Sequence, residues 1–129
     1  AGHRLSTGAI EEVLSENQSV AECAVIGIKD QLKGQLPIGL VALKAGVTKK
    51  NEDIEKECIQ MVRDKVGPVA AFKKVIVVKR LPKTRSGKVL RGTVRKIADQ
   101  ENYKMPATID DPVILEEIKE DLKKGGILK

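Results

Sequence analysis

The segment with the clearest chemical potential is residues 81–91, LPKTRSGKVLR, which begins two residues after the apolar run VIVV. Its Pro, Thr, Ser and Gly content predicts an exposed loop. The loop carries four cations, at Lys83, Arg85, Lys88 and Arg91. Clustered cations favour an anionic ligand or surface, although a loop can also carry charge only for solubility. Three functional interpretations compete: a phosphate-binding loop, a nucleic-acid interface, or one reactive lysine on a mobile loop.

A Walker-type phosphate loop requires G-x-x-x-x-G-K-[S/T], in which backbone N–H groups surround the phosphates and a hydroxyl binds magnesium. In this chain Pro82 stands where the first glycine should be, and Val89 follows Lys88. Both ends of the motif fail. We therefore exclude this class of phosphate site.

A basic nucleic-acid-binding or protein-interaction module is the alternative function. Eleven of the 24 Lys and Arg residues, and no Asp or Glu, lie in residues 65–98, so the net charge of +6 is a local feature. Such a segment could neutralise phosphates. Proteins that bind single strands usually add aromatic stacking platforms, and this segment offers only Phe72. No helix-turn-helix, zinc or RNP pattern occurs, so we predict no nucleic-acid partner.

A single functional lysine fits the loop better. Gly87 gives the backbone freedom to place Lys88 close to a ligand. Thr84 and Ser86 can hold the loop shape through local hydrogen bonds. A lysine ammonium is a compact charge with three donors, suited to oxygen atoms on which negative charge gathers.

Length and composition indicate one α+β domain over residues 1–129. The chain is 41% hydrophobic but has only one Phe and one Tyr, so the core must be aliphatic. Cys23 and Cys58 lie far apart without a CxxC motif, and with a single histidine we predict no metal site. Two buried, reduced thiols in an intracellular protein are the expectation, with a single disulfide as the alternative. No apolar run reaches the ~20 residues of a membrane span.

The first half of the chain predicts a helix, a hairpin and a second helix. Ile10, Val13 and Leu14 have helical spacing over residues 7–16, with Ser6 or Thr7 as cap. The β-rich runs 20–28 and 36–44 predict a hairpin, in which Pro37 indicates an edge or a strand opening. Asn51 is the predicted cap of the next helix. Its buried stripe and its end are, in order, Ile54, Cys58, Met61, Val62 and Gly67-Pro68.

The second half predicts a strand and two helices. Residues 73–79 read as a third strand, and residues 89–99 as a helix with an apolar stripe and a basic face. Residues 105–112 read as a linker. Asp111 followed by Pro112 predicts the start of a last helix, which Gly125-Gly126 ends. The expected architecture is a small sheet of about three strands with helices packed on it.

The loop LPKTRSGKVLR closely resembles the C-terminal lysine motif of the adenylate-forming enzymes, especially acetyl-CoA and propionyl-CoA synthetases. AGHRLSTGAIEEVL, residues 1–14, resembles the stretch that opens the mobile C-terminal domain of that family. AVIGIKDQLKGQLPIGLVAL between them resembles the hairpin of the domain, and the tail ATIDDPVILEEI is most similar to short-chain, propionate-type members. The resemblance covers essentially the whole chain, with two ordered motifs at a fitting separation.

The resemblance implies a two-step ligase that uses ATP with Mg²⁺ and coenzyme A. A short-chain carboxylate such as propionate or acetate attacks the α-phosphorus of ATP and gives an acyl-adenylate, and coenzyme A then takes the acyl group. In this family the C-terminal domain presents two faces in turn. The first carries Lys88, which matches the lysine that bridges carboxylate and adenylate oxygens in the first step.

The second face implied by the resemblance contacts coenzyme A. Ala1 or Gly2 matches a backbone contact to coenzyme A. Arg4 matches an arginine that contacts a nucleotide phosphate, and Arg63 matches one that meets the 3′-phosphate of coenzyme A. On this interpretation the chain is a lid domain whose partner is its own large N-terminal domain, which binds most of the ATP and coenzyme A. We expect the chain alone to be inactive and to bind ATP weakly or not at all.

Two further expectations follow from the resemblance. Relatives are acylated on the matching lysine, so enzymes that acylate and deacylate Lys88 are possible partners. Neutralising its charge should stop the first step. For a eukaryotic member, the likeness to propionate-type enzymes also implies a mitochondrial matrix location.

Overall fold

The computed structural model describes residues 7–30, 34–67, 72, 74–109 and 111–127. Seven helices and strands are formed within these ranges, and they follow the predicted order. They are α1 Thr7–Ser15, β1 Val20–Asp30, β2 Gly34–Leu43, α2 Asn51–Lys65, β3 Lys74–Val78, α3 Arg91–Ala98 and α4 Val113–Lys124. The predicted α+β class is confirmed, with element ends that differ from the predictions by one to a few residues.

The three strands form one mixed sheet in the order β1-β2-β3. β1 and β2 are the predicted antiparallel hairpin, with Cys23 opposite Val41. β3 runs parallel to β2, which requires a long crossover, and α2 supplies it. Pro37 lies in the central strand, opposite Gly27 of β1. β2 begins at Gly34, three residues earlier, so Pro37 neither opens the strand nor lies on an edge strand. Within the described residues β2 pairs with β3 from Ile38 onward, so the missing N–H of Pro37 interrupts none of that pairing.

Alternating residues send the sheet's side chains into two separate cores, because successive residues of a strand face opposite sides. In the first core, the sheet residues pack against α3 and α4; they are Ala24, Ile26, Ile38, Leu40, Ala42, Ile76 and Val78. In the second core, the sheet residues pack against α1, α2 and Phe72; they are Val20, Val25, Val41 and Val75. The sheet is thus covered by two helices on each face.

The helix stripes predicted from the sequence are the buried ones, with Met61 half-buried at the margin of the second core. The prediction that Asn51 caps α2 is wrong. Asn51 is already helical, and the cap position is Lys50, whose carbonyl accepts the N–H groups of Asp53 and Ile54 at 3.0 and 3.1 Å. Lys50, whose backbone is extended, therefore caps this helix with its main-chain carbonyl and without a side-chain hydrogen bond.

The predicted start of α4 is one residue early: the helix begins at Val113 and its cap position is Pro112, not Asp111. The Asp111 carboxylate still accepts the N–H of Val113 at 3.1 Å. At the far end Gly126 has φ +83°, a conformation that glycine adopts without strain, and the N–H of Ile127 closes the helix on the Leu122 carbonyl at 2.9 Å.

Carboxylates occupy both outer edges of the sheet. Along β1, Glu11 accepts the N–H of Val25 at 3.0 Å and Asp99 accepts the N–H of Lys29 at 2.8 Å. Directly after β3, which ends at Val78, the buried Asp121 accepts the N–H of Lys79 at 3.4 Å. A strand edge with free N–H groups can pair with another chain, so these side chains reduce that risk.

Candidate active site

The predicted loop forms a small hairpin over residues 82–90, which we call the lysine hairpin. Its base is closed by the N–H of Leu90 on the Pro82 carbonyl at 2.9 Å, and Lys83 pairs with Val89 as an antiparallel bridge. Both ends are anchored in the first core, where Leu81 is 2% exposed and Leu90 packs at the margin. The hairpin therefore rises from a fixed base.

Thr84 organises the tip of the lysine hairpin. Its N–H donates to the Lys88 carbonyl at 2.9 Å, and its hydroxyl accepts the N–H of Lys88 at 3.1 Å. The hydroxyls of Thr84 and Ser86 lie 2.9 Å apart, and the Thr84 carbonyl accepts the N–H of Gly87 at 2.9 Å. Gly87 has φ +92°, which a side chain would disfavour. The loop-shaping roles predicted for Thr84 and Ser86 are confirmed, whereas the predicted placing of Lys88 near a ligand by Gly87 stays a prediction.

The stretch predicted as a linker, residues 105–112, supports the hairpin instead of lying free of it. Thr84 pairs with Ile109 as an antiparallel bridge, and the N–H of Arg85 donates to the Thr108 carbonyl at 2.9 Å. Ile109 is 5% exposed within the first core. Sequence reasoning missed this support because the stretch has neither a helical nor a strand period.

Two of the four cations in residues 81–91 are neutralised by carboxylates from distant elements. Lys83 forms an ion pair with Glu22 of β1. Arg91 binds Glu11 of α1 through two contacts, Nε to Oε2 at 2.8 Å and a terminal nitrogen to Oε1 at 2.5 Å. Neither glutamate was predicted as a partner, since no local pattern joins residues so far apart in the chain.

The other two hairpin cations, Arg85 and Lys88, are exposed. Within the residues that the structure describes, neither side chain makes a hydrogen bond or ion pair, although both main chains are held. As far as the described residues go, the arrangement thus presents two cations without a partner on a hydrogen-bonded turn. Chemically it can approach a group bearing negative charge and stabilise it by position and charge, without a proton transfer.

The environment of Glu11 keeps its carboxylate ionised. Burial raises the pKa of Glu11, but the hydrogen bonds from Arg91 and from the N–H of Val25, with the charge of Arg91, outweigh it. The net result is a pKa below the ordinary glutamate value. The same pairing raises the pKa of Arg91, whose charge is permanent at neutral pH. The Glu11–Arg91 pair is therefore fully charged at physiological pH.

Many of the cations in residues 65–98, the segment that suggested a nucleic-acid interface, form ion pairs within the protein. Five cations of the basic segment pair with carboxylates: Lys65, Arg80, Lys83, Arg91 and Arg95. Arg91 and Arg95, predicted to lie on a basic helix face, are turned toward carboxylates at the edge of β1. Paired cations release fewer counterions on binding a polyanion, so this arrangement weakens the alternative function.

The family model for the AMP-binding enzyme C-terminal domain matches residues 9–88, which run from α1 to the tip of the lysine hairpin. The chain belongs to this family. A chain of Pseudomonas aeruginosa described as an uncharacterized protein is 55% identical over 95% of this chain. The Dictyostelium discoideum acyl-CoA synthetase short-chain family member B, mitochondrial, is 52% identical over 96% of it. The resemblance found from the motifs is thereby confirmed.

A solved structure agrees with this membership. The Brucella canis acyl-CoA synthetase superimposes with a TM-score of 0.66 and 29% identity over 74% of this chain, which corresponds to 17% of that chain. The chain likewise spans 20% and 18% of the length of the two curated relatives. The similarity to these proteins therefore concerns their C-terminal domain.

The predicted site residues divide between two sides of this AMP-binding C-terminal domain. Lys88 lies on the hairpin that is anchored in the first core and leads into α3. Arg63 is exposed in the last turn of α2, a helix that packs on the opposite face of the sheet. The structure does not bring these two together. Ala1, Gly2 and Arg4 lie outside the described residues.

Both cysteines are free thiols. Cys58 is buried, and burial raises its pKa to about 11, while burial also raises the pKa of the half-buried Cys23. Among the described residues, no group of three or more His, Cys, Asp or Glu side chains is placed to hold a metal ion. The helices in the described ranges include none that is long and apolar enough to cross a membrane.

Proposed function

We propose that this chain is the C-terminal lid of an AMP-forming acyl-CoA synthetase that activates a short-chain carboxylate, and that Lys88 acts in its adenylation step. The carrying observation is the ammonium of Lys88, which has no partner within the described residues, at the tip of a hairpin whose main chain is held on both sides. In the assembled enzyme this ammonium lies between the substrate carboxylate and the α-phosphate. There it offsets the negative charge that repels the two reactants.

The lid supplies charge and position, and its own N-terminal domain supplies most of the binding surface. The free guanidinium of Arg85 and the ammonium of Lys88 suit phosphate oxygens. The described residues offer no cluster of carboxylates for Mg²⁺, so we place the metal that accompanies ATP on the N-terminal domain. Acetate and propionate are the carboxylates we propose, because the tail is most similar to short-chain members.

The second step uses the other side of the lid. Lys88 and Arg63 belong to elements that pack on opposite faces of one sheet. A rigid lid would therefore have to rotate to bring first one residue and then the other to the same site. In the second orientation Arg63 binds the 3′-phosphate of coenzyme A. Ala1 and Gly2 line the entrance for its pantetheine arm, and Arg4 contacts the nucleotide phosphate.

The experiment that tests the proposal separates the two half-reactions in the full-length enzyme. Lys88→Ala should reduce pyrophosphate release from ATP and the carboxylate by about a hundredfold or more. Thioester formation from supplied acyl-adenylate should be unchanged. Lys56→Ala is the matched control, because Lys56 is also exposed and lies on α2. Equal loss in both half-reactions, or normal pyrophosphate release, would contradict the role of Lys88.

Arg63 has its own test in the same enzyme. An arginine that binds the 3′-phosphate lets the enzyme distinguish coenzyme A from 3′-dephospho-coenzyme A. Arg63→Ala should raise the KM for coenzyme A and remove that discrimination, while leaving adenylation unchanged. A variant that still discriminates between the two thiols would show that Arg63 is only a solvated surface charge.

Two consequences concern the cell. The exposed ammonium of Lys88 has no partner within the described residues and is accessible to acylating enzymes, and acylation would remove the charge needed in step one. Mass spectrometry of the enzyme after incubation with excess acyl-CoA should detect the modified lysine. The Dictyostelium relative is described as mitochondrial, and we propose the mitochondrial matrix as the location of this protein. Microscopy of the full-length protein tests that location.

A further inference from the structure

Arg91 connects the lysine hairpin to the opposite side of the molecule. It is the first residue of α3, three positions after Lys88. Its guanidinium binds both oxygens of Glu11, with contacts of 2.8 and 2.5 Å across 80 positions of sequence. Two parallel contacts fix direction as well as distance, which a single ion contact does not. The start of α3 is therefore tied to α1 in one orientation.

Glu11 is itself held in place. Its Oε2 atom, which receives Arg91 Nε, also accepts the N–H of Val25 at the outer edge of β1 at 3.0 Å. The side chain of Glu11 is 17% exposed, against 44% for Arg91. A shielded carboxylate with three donors has little freedom to turn. Arg91 thus reaches α1 and β1 through one side chain.

The opposite strand of the hairpin has a comparable tie. Lys83 lies before the tip and pairs with Glu22, which also belongs to β1. The cations on either side of the tip are therefore bound to carboxylates, whereas Arg85 and Lys88 at the tip have no partner in the part of the chain that the structure describes. The ion pairs of Lys83 and Arg91 therefore fix the two sides of the hairpin, and the cations at its tip stay available for a ligand.

We propose that Glu11 and Arg91 are positioning residues, whose two-contact pair orients the lysine hairpin so that Lys88 reaches the reacting phosphate in the adenylation step. This inference rests on the proposed function of the chain. A small displacement of a positioned charge lowers the reaction rate far more than it weakens binding, because the transition state requires a narrow range of geometries. Arg91 itself touches neither substrate nor nucleotide in this role.

The chain contains a matched control one turn further along α3. Arg95 also pairs with a carboxylate that caps the β1 edge, Asp99, at 3.4 Å. Its side chain is 34% exposed, close to the value for Arg91. Arg95 is seven residues from Lys88; within the described residues it pairs with Asp99 and, at 3.7 Å, with Glu101, and with no residue of the hairpin. Loss of Arg95 tests the general effect of removing a pair from this edge.

The experiment measures both half-reactions in the full-length enzyme. Arg91→Gln should lower the kcat of pyrophosphate release on the order of ten- to a hundredfold, with little change in the KM for ATP. Thioester formation from supplied acyl-adenylate should stay at the wild-type rate. Arg91→Lys should recover only part of the loss, since an ammonium cannot grip both oxygens. Arg95→Gln should leave both half-reactions near wild type.

Three outcomes would overturn the inference. Equal loss in both half-reactions would assign the pair to folding alone, and so would a matching effect of Arg95→Gln. An unchanged kcat for Arg91→Gln would show that the hairpin orients itself. If that variant does not fold, Arg91→Lys decides, because it keeps the charge beside Glu11: a lowered kcat of pyrophosphate release with normal thioester formation supports positioning, and a wild-type kcat rejects it. Failure of the proposed function is distinct, because wild-type enzyme would then release no pyrophosphate.

Discussion

The N–H of Lys88 donates a hydrogen bond to the hydroxyl of Thr84 at 3.1 Å, while the Lys88 carbonyl accepts the N–H of Thr84 at 2.9 Å. The residue with the free ammonium is thus fixed at both polar atoms of its main chain by one neighbour. The main chain of Lys88 is therefore held in place, while its long side chain can still extend toward a ligand. This is the arrangement expected of a lysine that must meet a small target in a closed enzyme.

Removing the Thr84 hydroxyl should loosen this anchor. In the full-length enzyme, Thr84→Val should lower the rate of the adenylation half-reaction by about tenfold, because the Lys88 N–H loses its acceptor. Thr84→Ser keeps the hydroxyl and should retain most of the rate. Pyrophosphate release measures both variants. Equal rates for valine and serine would show that the hydroxyl does not contribute.

Two glycine substitutions should have opposite effects on stability. At both Gly87 and Gly92 an added Cβ would meet nothing within 4 Å. Gly87 has φ +92°, so Gly87→Ala should destabilise the chain by about 1–2 kcal/mol. Gly92 lies inside α3, so Gly92→Ala should stabilise it by up to about 1 kcal/mol. Urea unfolding of the 129-residue chain measures both, and a common sign would contradict the backbone argument.

Acid should destabilise the chain partly through Glu11. The pKa of Glu11 is lowered in the folded chain, so its contribution is present above the unfolded value of about 4.3 and is lost as pH falls through the folded value. Glu11→Gln should cost on the order of 1 kcal/mol at pH 7. The cost should shrink as the pH falls from 5 to 3.

The control for this acid dependence is Glu12→Gln. Glu12 is exposed beside Glu11 on α1 and makes no ion pair within the described residues. Unfolding free energies at several pH values should show it following the wild type throughout. If both variants have the same pH dependence, the effect belongs to net charge and not to the Glu11–Arg91 pair.

The two cysteines should react at different rates. Burial raises the pKa of Cys58 to about 11, so at pH 8 only about one thiol in a thousand is the reactive thiolate. The half-buried Cys23 should therefore be alkylated first by iodoacetamide, although burial raises its pKa too. Mass spectrometry of the native chain over time distinguishes them. In denaturant both should react alike, and preferential labelling of native Cys58 would be inconsistent with the packed second core.

The elements of this fold were predictable because their signals are local. The stripe of Ile54, Cys58 and Val62 repeats with the period of a helix, and the buried residues of α2 are those three. The boundary at Asn51 was wrong because the cap uses a main-chain carbonyl, which leaves no mark on residue type. The parallel pairing of β3 with β2 was not predicted, because the run that forms β3 does not specify its neighbour.

The sequence by itself determined that residues 81–91 form a polar turn, that Gly87 and Thr84 shape it, and that its motif is the one shared with adenylate-forming enzymes. Only the tertiary structure decided which cations are free. Lys83 and Arg91 are bound by glutamates of β1 and α1, which the fold brings near from far along the chain. The physical reason is that an ion pair depends on the distance between two charges in space, and the order of residues along a chain does not give that distance.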